Sequence, residues 1–444
     1  MGENRKSSQA QAPAPVVEAR VWQAVTVALL MTGYAGYYLC RSDLSVSLPL
    51  LIQEMAEHGM PRDEATTRLG TVASFGVLAY AIGKFPSGGL ADFLGGRRNY
   101  LFGMAGSVLF TFLFAISGGI PLFTLAWMGN RAVQSLGWAG VVKITSKWFS
   151  FSKYGSVMGV ISLSFLFGDA LSRQFMSALL AHGLGWRGVF YCAGGVLTAL
   201  LAINLLLVKE SPRELGLREP AVNPDNLFGD AGEQHRPASV RELLRTFGSS
   251  RVFWLVCILS LGMTLVRETF NLWTPTYFTQ AVGLTTADAA QKSALFPLFG
   301  GVSVLLSGFL SDRLGRRGRA GIILWGMILA GAALLTLGLA DFKNAGWPVV
   351  LVAVVAFLIL GPYAYLAGAI ALDFGGKQGS GTASGLIDGV GYLGGVLAGN
   401  SMASIAVTWG WKGAFAVLAG VTWIGSIAAA LYFVQQRRPG VEPS

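Results

Sequence analysis

The sequence predicts an all-α membrane protein with twelve transmembrane helices arranged in two pseudo-symmetric six-helix halves. Composition is the first reason: 53% of the residues are hydrophobic and 13% are charged, about half the charged share of a typical soluble domain. Runs of apolar residues of membrane length, separated by short polar segments, are the second. The third is a polar motif that recurs after half the chain. A soluble chain of 444 residues needs a larger charged surface than this composition supplies.

The apolar runs set the predicted helices and the division of the chain. Each run is long enough for the roughly 20 residues that cross a bilayer. The predicted spans lie at about 21–50, 69–91, 99–117, 121–146, 154–181, 186–208, 252–280, 289–311, 320–340, 346–372, 380–406 and 411–434. The expected units are a disordered cytoplasmic tail 1–20, a first half 21–208, a central cytoplasmic loop 209–250, a second half 251–436 and a tail 437–444.

The basic residues predict how the chain is oriented. Of the 33 Lys and Arg residues, 21 fall in one set of alternate loops and tails and six in the other. Basic loops stay in the cytoplasm, so both termini are expected there, in the inner (cytoplasmic) membrane of the cell. The net charge of +10 is therefore interpreted as a topology signal, and no nucleic-acid partner is expected.

A short motif occurs once in each predicted half. Residues 88–98 and 308–317 both fit the pattern G-x-L-x-D-x-x-G-x-R. Their aspartates, Asp92 and Asp312, are 220 residues apart, and each follows the second span of its half. Small residues allow a tight turn, and an aspartate can meet a facing helix end or an arginine. The recurrence indicates an internal repeat.

With this motif, the chain resembles the major facilitator superfamily, and the resemblance covers nearly all of it after residue 20. The resemblance implies two six-helix halves around a central cavity, with a cytoplasmic linker that here begins at Lys209-Glu210-Ser211-Pro212-Arg213. Asp92 and Asp312 would then belong to latches on the cytoplasmic side.

Two arginines in apolar spans are the strongest candidates for a binding site. Arg41 shares one helix face with three tyrosines at positions 34, 37 and 38, because residues three, four and seven apart lie together. A guanidinium beside phenol hydroxyls suits a bidentate oxyanion. Arg267 holds the matching place in the second half, near the midplane where repeat-built transporters bind substrate. A buried ion pair of Arg267 with Glu268 is the alternative, which the adjacency of the two residues disfavours.

Other charged residues also lie within the spans. Lys84, about 12 Å from the cytoplasmic end of its helix, is expected to be either an anion ligand or a gate partner. Asp169 and Arg173 are four residues apart, and a structural bridge is favoured. Arg131 is expected to pair with a carboxylate such as Asp388, which is itself a candidate proton carrier. Lys143 is near a span end and has no assigned role.

These residues stand in segments that resemble the organophosphate:phosphate antiporters. The matching segments are Gly33–Arg41, Ala79–Phe85, Gln134–Trp138, Trp273–Tyr277, Gly381–Gly385 and Gly391–Gly395. The resemblance implies that Arg41 and Arg267 bind the phosphoryl group, with Lys84 as the second-helix lysine. The departures are Ala139-Gly140-Val141-Val142 in place of Pro-Pro-Cys-Gly, and Phe165 and Ile370 in place of two histidines. They suggest a different organic moiety or a different coupling mode.

The sequence thus predicts exchange of an organic phosphate ester for inorganic phosphate by alternating access, with no enzyme activity and no cofactor. Three scattered cysteines and three histidines give no metal site. The expected substrate-binding residues are Arg41, Arg267, Lys84, Tyr34, Tyr37, Tyr38, Trp138 and Tyr392. The residues expected to act in gating or proton coupling are Asp92, Asp312, Asp169, Arg173 and Asp388.

Two other functions remain open at this stage. One is proton-coupled symport of organic anions such as sugar acids, with Asp169 or Asp388 carrying the proton. The other is a sensor that binds a phosphate ester without transporting it. A single chain contains both halves, so it is expected to function as a monomer in the bilayer, with a small anion as its partner.

Overall fold

The computed structural model describes residues 16–149, 151–218, 247–370 and 385–436, and these parts are almost entirely helical. The side chains of Asp92 and Asp312 lie outside the described residues, as do the tail 437–444, most of the tail 1–20 and most of the central loop. The segment 381–384, part of one matching motif, also lies outside them.

Six long helices form the first half. They are α1 (Val16–Glu57), α2 (Arg62–Leu94), α3 (Gly96–Ile116), α4 (Ile120–Trp148), α5 (Phe151–Ala181) and α6 (Trp186–Leu207). Cys40 interrupts α1 with non-helical angles, φ −85° and ψ 17°, so the helix kinks directly before Arg41. A 3₁₀ turn, Pro212–Leu215, follows α6.

The second half begins again with a long helix. Its helices are α7 (Arg251–Gln280), α8 (Thr286–Ser293), α9 (Leu295–Leu339), α10 (Gly346–Tyr365), α11 (385–397) and α12 (Asn400–Gln435). A single π-helical turn, Leu366–Ile370, extends α10. Gly410 divides α12 with φ 70° and ψ 173°, a left-handed conformation that glycine adopts at little cost.

Length and composition of these helices fit a membrane. Among the described residues, seven stretches are long and apolar enough to cross one, and the last, Gly385–Gln435, contains the break at Gly410. Helices α1, α2, α4 and α5 are more polar than these seven stretches. They are 29 to 42 residues long, which exceeds the roughly 20 residues that a crossing needs. Large apolar side chains such as Leu171 and Leu206 point outward, 69% and 74% exposed, as lipid contact requires.

The first motif ends in the expected tight turn. Gly95 separates α2 from α3 with φ 90°. The Glu210 carboxylate accepts the backbone N–H groups of Gly96 at 3.0 Å and Arg97 at 2.6 Å, and it pairs with Lys147 at 2.6 Å. Partial burial works against ionisation, but these donors outweigh it and lower the pKa of Glu210. The Glu210 clasp, as we call these contacts, ties the linker to the start of α3.

The second motif differs from the expected turn. Helical residues run without a break from Leu295 to Leu339, through the whole of 308–317. The first motif thus ends in a turn at Gly95, whereas the backbone stays helical across the second. The two apolar stretches on either side of it, Thr286–Leu310 and Arg317–Leu339, match the eighth and ninth predicted spans.

Candidate functional site

A cavity of about 470 Å³ lies between the two halves. Helices α1, α2, α4 and α5 line it from the first half, and α7, α9, α10 and α11 from the second. The ionisable residues on its wall include Arg41, Lys84, Arg131, Asp169, Arg173, Arg267, Glu268 and Asp388. The structure therefore brings both predicted arginines to one cavity, from opposite halves.

Arg41 is held in the cavity by neutral groups. Its Nε donates to Gln134 Oε1 at 3.1 Å, and its Nη1 donates to the Tyr38 hydroxyl at 3.2 Å. Gln134 is fixed in turn, because its amide donates to the Cys40 carbonyl at 2.9 Å, the carbonyl at the kink in α1. The guanidinium lies over the rings of Tyr38 and Tyr80, 4.7 and 4.8 Å from their centroids. Its charge is thus positioned without a carboxylate.

Arg267 has a different partner. Its Nη2 lies 2.8 Å from Glu268 Oε1, so the expectation that these neighbours would not pair was wrong. A long arginine side chain can fold back around the helix when both groups face the same cavity, and both line this one. The guanidinium also lies over the rings of Tyr363 and Tyr392, 4.5 and 5.5 Å from their centroids.

Tyr80 was not assigned a role from the sequence, although it lies in one of the matching segments. Its ring centroid is 4.8 Å from the Arg41 guanidinium, 4.7 Å from that of Arg131 and 5.2 Å from Lys84 Nζ. The Tyr80 ring also meets that of Tyr392, from the other half, at 5.3 Å. The signal was the spacing of four between Tyr80 and Lys84, which places them on one helix face.

Three aromatic residues of the predicted set line the cavity wall of the first half, and one does not. Tyr34, Tyr38 and Trp138 are on the wall, and the ring of Tyr34 lies 5.2 Å from that of Trp138. The Tyr37 hydroxyl instead donates to the Tyr100 carbonyl at 2.6 Å. Tyr37 is 1% exposed, so the prediction that it faces the substrate was wrong. The helix face that the four residues share is wide enough for Tyr37 to pack against α3.

Asp169 and Arg173 form the predicted structural bridge, with Arg173 Nε 3.2 Å from Asp169 Oδ1. Asp169 also accepts the Ser42 hydroxyl. Arg173 reaches the second half, where its Nη1 donates to Ser293 Oγ at 3.1 Å and its Nη2 to the Asn271 carbonyl at 2.9 Å. The pair therefore joins the two halves.

Arg131 and Asp388 do not pair as expected. The structure shows no ion pair between these two described residues; Arg131 stacks on Tyr80 instead, and its buried Nε and Nη1 have no hydrogen-bond partner. Asp388 Oδ1 accepts the Tyr363 hydroxyl at 3.3 Å. The two side chains come from helices of opposite halves, α4 and α11, on separate parts of the wall.

Further hydrogen bonds join the halves toward one end of the cavity. Together with the contacts of Arg173 to the second half, they form what we call the outer network. Ser45 donates to the Asn271 carbonyl at 2.7 Å, and Ser177 donates to the Ala287 carbonyl at 2.8 Å. Ser74 donates to the Val396 carbonyl at 2.6 Å. These residues lie in the halves of their helices that the charge pattern places away from the cytoplasm. The halves are thus in contact at the predicted outer side.

A family model gives the first comparison with known proteins. The model of the Major Facilitator Superfamily matches residues 30–399 of this chain, which is most of its length and includes both arginines of the cavity.

Curated relatives match nearly end to end. A probable hexose phosphate transport protein of Chlamydia trachomatis is 27% identical over 423 residues, covering 92% of this chain and 90% of the relative. The glycerol-3-phosphate transporter of Bacillus subtilis is 27% identical over 422 residues, with coverages of 91% and 90%. The membrane sensor protein UhpC of Escherichia coli is 25% identical over 416 residues, with coverages of 92% and 91%.

Solved structures share the fold. A bacterial homologue of the human lysosomal transporter Spinster, in an inward-facing and unoccupied conformation, superposes with a TM-score of 0.73. The match covers 95% of this chain and 99% of the other at 16% sequence identity. A likeness at this identity concerns the path of the chain and not the ligand.

Proposed function

The chain belongs to the Major Facilitator Superfamily, a family of membrane transporters and not of enzymes, and we propose that it exchanges an organic phosphate ester for inorganic phosphate. Its relatives named as hexose phosphate and glycerol-3-phosphate transporters support a phosphate ester as the substrate. We place it in the inner membrane with both termini in the cytoplasm, as a monomer, in line with the distribution of basic residues.

One observation carries the proposal: Arg41 and Arg267 reach one cavity from opposite halves. We call this pair the clamp. Each guanidinium can offer a pair of parallel N–H donors, which suits the oxygens of a phosphoryl group. A substrate that bridges the clamp contacts both halves at once, so its binding is linked to their relative movement.

The charge of the cavity supports a doubly charged anion. The described lining residues include five cations, Arg41, Lys84, Arg131, Arg173 and Arg267, and three carboxylates, Asp169, Glu268 and Asp388. The difference is a formal charge of +2. A phosphate monoester carries about −1.5 to −2 at pH 7, so one bound substrate would nearly neutralise the wall. Four of the cations lie in the first half, which therefore supplies most of the attraction for the anion, and Arg267 supplies the contact to the second half.

The proposed cycle follows from where the halves touch. With the outer network formed, a phosphate ester or phosphate enters from the cytoplasmic side and bridges the clamp. The halves then close beneath it and the outer network opens. An empty cavity lacks the anion that bridges the clamp and draws the halves together, which favours exchange over one-way transport.

The experiment is uptake of radiolabelled phosphate into proteoliposomes loaded with phosphate, using wild-type protein and the Arg41→Ala and Arg267→Ala variants. We expect exchange that requires internal phosphate, is insensitive to a pH gradient, and falls at least about thirtyfold in either variant, as loss of a charged hydrogen-bonding partner costs about 2 kcal/mol or more. Uptake of a carboxylate driven by a pH gradient, without phosphate exchange, would instead identify a proton symporter.

A sensor is the second candidate, because one of the relatives is named a membrane sensor protein. A sensor would bind phosphate esters through the same clamp without carrying them across. Phosphate-dependent thermal stabilisation of the purified protein, combined with no exchange in proteoliposomes, would favour this function. Stabilisation together with exchange would exclude it.

A further inference from the structure

We propose that Lys84 and Asp388 form the inner gate of this transporter: an ion pair that joins the halves when the cytoplasmic side closes. The inference rests on the proposed function only in assuming that the carrier alternates between two closed sides. In the described part of the chain, neither residue forms an ion pair, and the proposed gate pairs the two with each other.

Each of the two residues lies four residues from a tyrosine on its own helix. On α2, Tyr80 precedes Lys84 by four residues, and on α11, Asp388 precedes Tyr392 by four. Residues four apart share a helix face, so each charged residue lies below its tyrosine on the same face. The helices run in opposite directions along the predicted topology, so in both of them the charged residue is on the cytoplasmic side of the tyrosine.

The two tyrosines already touch across the cavity. Their ring centroids are 5.3 Å apart, and this contact joins α2 of the first half to α11 of the second. One helical turn, about 6 Å along each axis, separates this contact from Lys84 and Asp388. The two charges therefore both lie on the cytoplasmic side of a contact between the halves, and both line the cavity.

Both charged groups have a free position for the partner. Asp388 accepts one hydrogen bond, from Tyr363 at 3.3 Å, and it makes no ion pair with any described residue. Lys84 Nζ lies over the Tyr80 ring at 5.2 Å and likewise has no carboxylate within ion-pair distance in the described part of the chain. Each side chain is partly exposed to the cavity. Hence no existing ion pair has to break when they approach.

The position of the outer network explains why the pair is open here. Arg173, Ser45 and Ser74 hold the halves together at the predicted outer side. Both gate residues lie about 12 Å from the cytoplasmic ends of their predicted spans. A rocking movement about the Tyr80–Tyr392 contact opens the outer network and brings Lys84 to Asp388. The new ion pair then offsets part of the free energy that is lost when the hydrogen bonds of the outer network break.

Charge exchange between the two positions is the first test. We expect Lys84→Met and Asp388→Asn each to slow phosphate exchange at saturating phosphate by about tenfold, and the double variant Lys84→Asp/Asp388→Lys to recover most of that loss. The matched control reverses the exposed pair Lys412 and Asp341, which should leave exchange unchanged. If Lys84 were only a substrate ligand, Asp388→Asn would not slow exchange at saturation and the double reversal would not recover it. That pattern would overturn the gate.

A disulfide provides the second test, one that needs no transport. Lys84→Cys and Asp388→Cys are combined with Cys192→Ser, since the remaining Cys40 and Cys257 are buried. A disulfide needs a Cα–Cα distance of about 4.4–6.8 Å, so it should form only as the inner side closes, and faster with phosphate. No disulfide with or without phosphate, whether or not the wild type exchanges phosphate, would disprove the closure. Wild-type protein without phosphate exchange would count against the proposed function alone.

Discussion

The two arginines of the clamp occupy equivalent positions in the repeat, yet their surroundings differ. Arg41 is held by an amide and by tyrosines, whereas Arg267 is paired with the Glu268 carboxylate at 2.8 Å. The first half thus presents an uncompensated cation, and the second presents one that already has a counterion. The internal repeat places an arginine at the same position in each half. The neighbouring side chains determine whether that arginine already has a counterion when a substrate binds.

This difference implies an order of events at the clamp. A phosphoryl group meets Arg41 without displacing any charged group. It must compete with Glu268 for the Nη2 of Arg267. Competition between Glu268 and the phosphoryl group for Arg267 therefore lowers the binding free energy. Removing the charge of Glu268 tests this competition.

Of the three effects that test this comparison, the largest is expected for Glu268→Gln. The amide keeps the size of the side chain but removes the charge that competes with phosphate for Arg267. We expect the apparent Kd for phosphate to fall roughly tenfold, about 1.4 kcal/mol, with a correspondingly larger shift of the Tm by phosphate. Phosphate-dependent thermal shift of the purified variant measures it.

The control for that variant is Glu64→Gln, which removes an exposed carboxylate paired with Arg68 at the far end of α2. It should leave the phosphate affinity unchanged. Weaker phosphate binding in Glu268→Gln would show that the carboxylate orients Arg267 for the substrate. This result would contradict the claim that Glu268 competes with phosphate for Arg267.

A smaller effect should separate the two tyrosines that meet between the halves. Tyr80 lies over three cations, Arg41, Lys84 and Arg131, whereas Tyr392 lies over Arg267. Each cation–π contact is worth about 0.5–2 kcal/mol. We expect Tyr80→Leu to raise the KM for phosphate roughly fivefold more than Tyr392→Leu does, as the larger number of ring contacts predicts. Equal effects in the exchange assay would show that the rings act through their mutual contact alone.

The smallest effect concerns the two motif regions, which also differ: the first ends in a turn held by the Glu210 clasp, and the second stays helical. The pKa of Glu210 is lowered in the folded protein. Its contribution to stability is therefore complete above the usual carboxyl pKa of about 4.3 and disappears as the pH falls through the lower folded value. We expect the Tm of Glu210→Gln to fall less than that of wild type between pH 5 and pH 3, and the corresponding difference in the free energy of unfolding to be under about 1 kcal/mol. A steeper loss in the variant would contradict the sign.

Much of the fold was predictable, because an apolar chain in a membrane must satisfy its own backbone hydrogen bonds. Runs of about 20 apolar residues have to be helical there, and the motif repeat divided them into halves. The position of Arg41 and Arg267 in one cavity followed from the same repeat. The second motif was less predictable, since whether Gly315 turns depends on contacts that sequence does not give.

The partners of the charged residues were the least predictable part of the site. Spacing along a helix correctly indicated the Asp169–Arg173 bridge, because four residues bring two side chains together. It failed for Arg267 and Glu268, where a flexible side chain and a shared cavity outweighed the spacing. It also failed for Tyr37, because a wide face can turn toward a neighbouring helix as easily as toward a cavity. Residues such as Tyr80 acquire a role only when four helices meet.

One detail of the outer side concerns what this protein can tolerate in evolution. Where α2 passes the turn between α11 and α12, a Cβ on Gly399 would lie 2.3 Å from the Gly70 carbonyl oxygen, and a Cβ on Gly70 would lie 2.9 Å from the Gly399 carbonyl oxygen. The two backbones touch with nothing between them, so no choice of rotamer relieves a larger residue. Only glycine fits at these two positions. The residues that select the substrate can change during evolution without disturbing this contact between the halves.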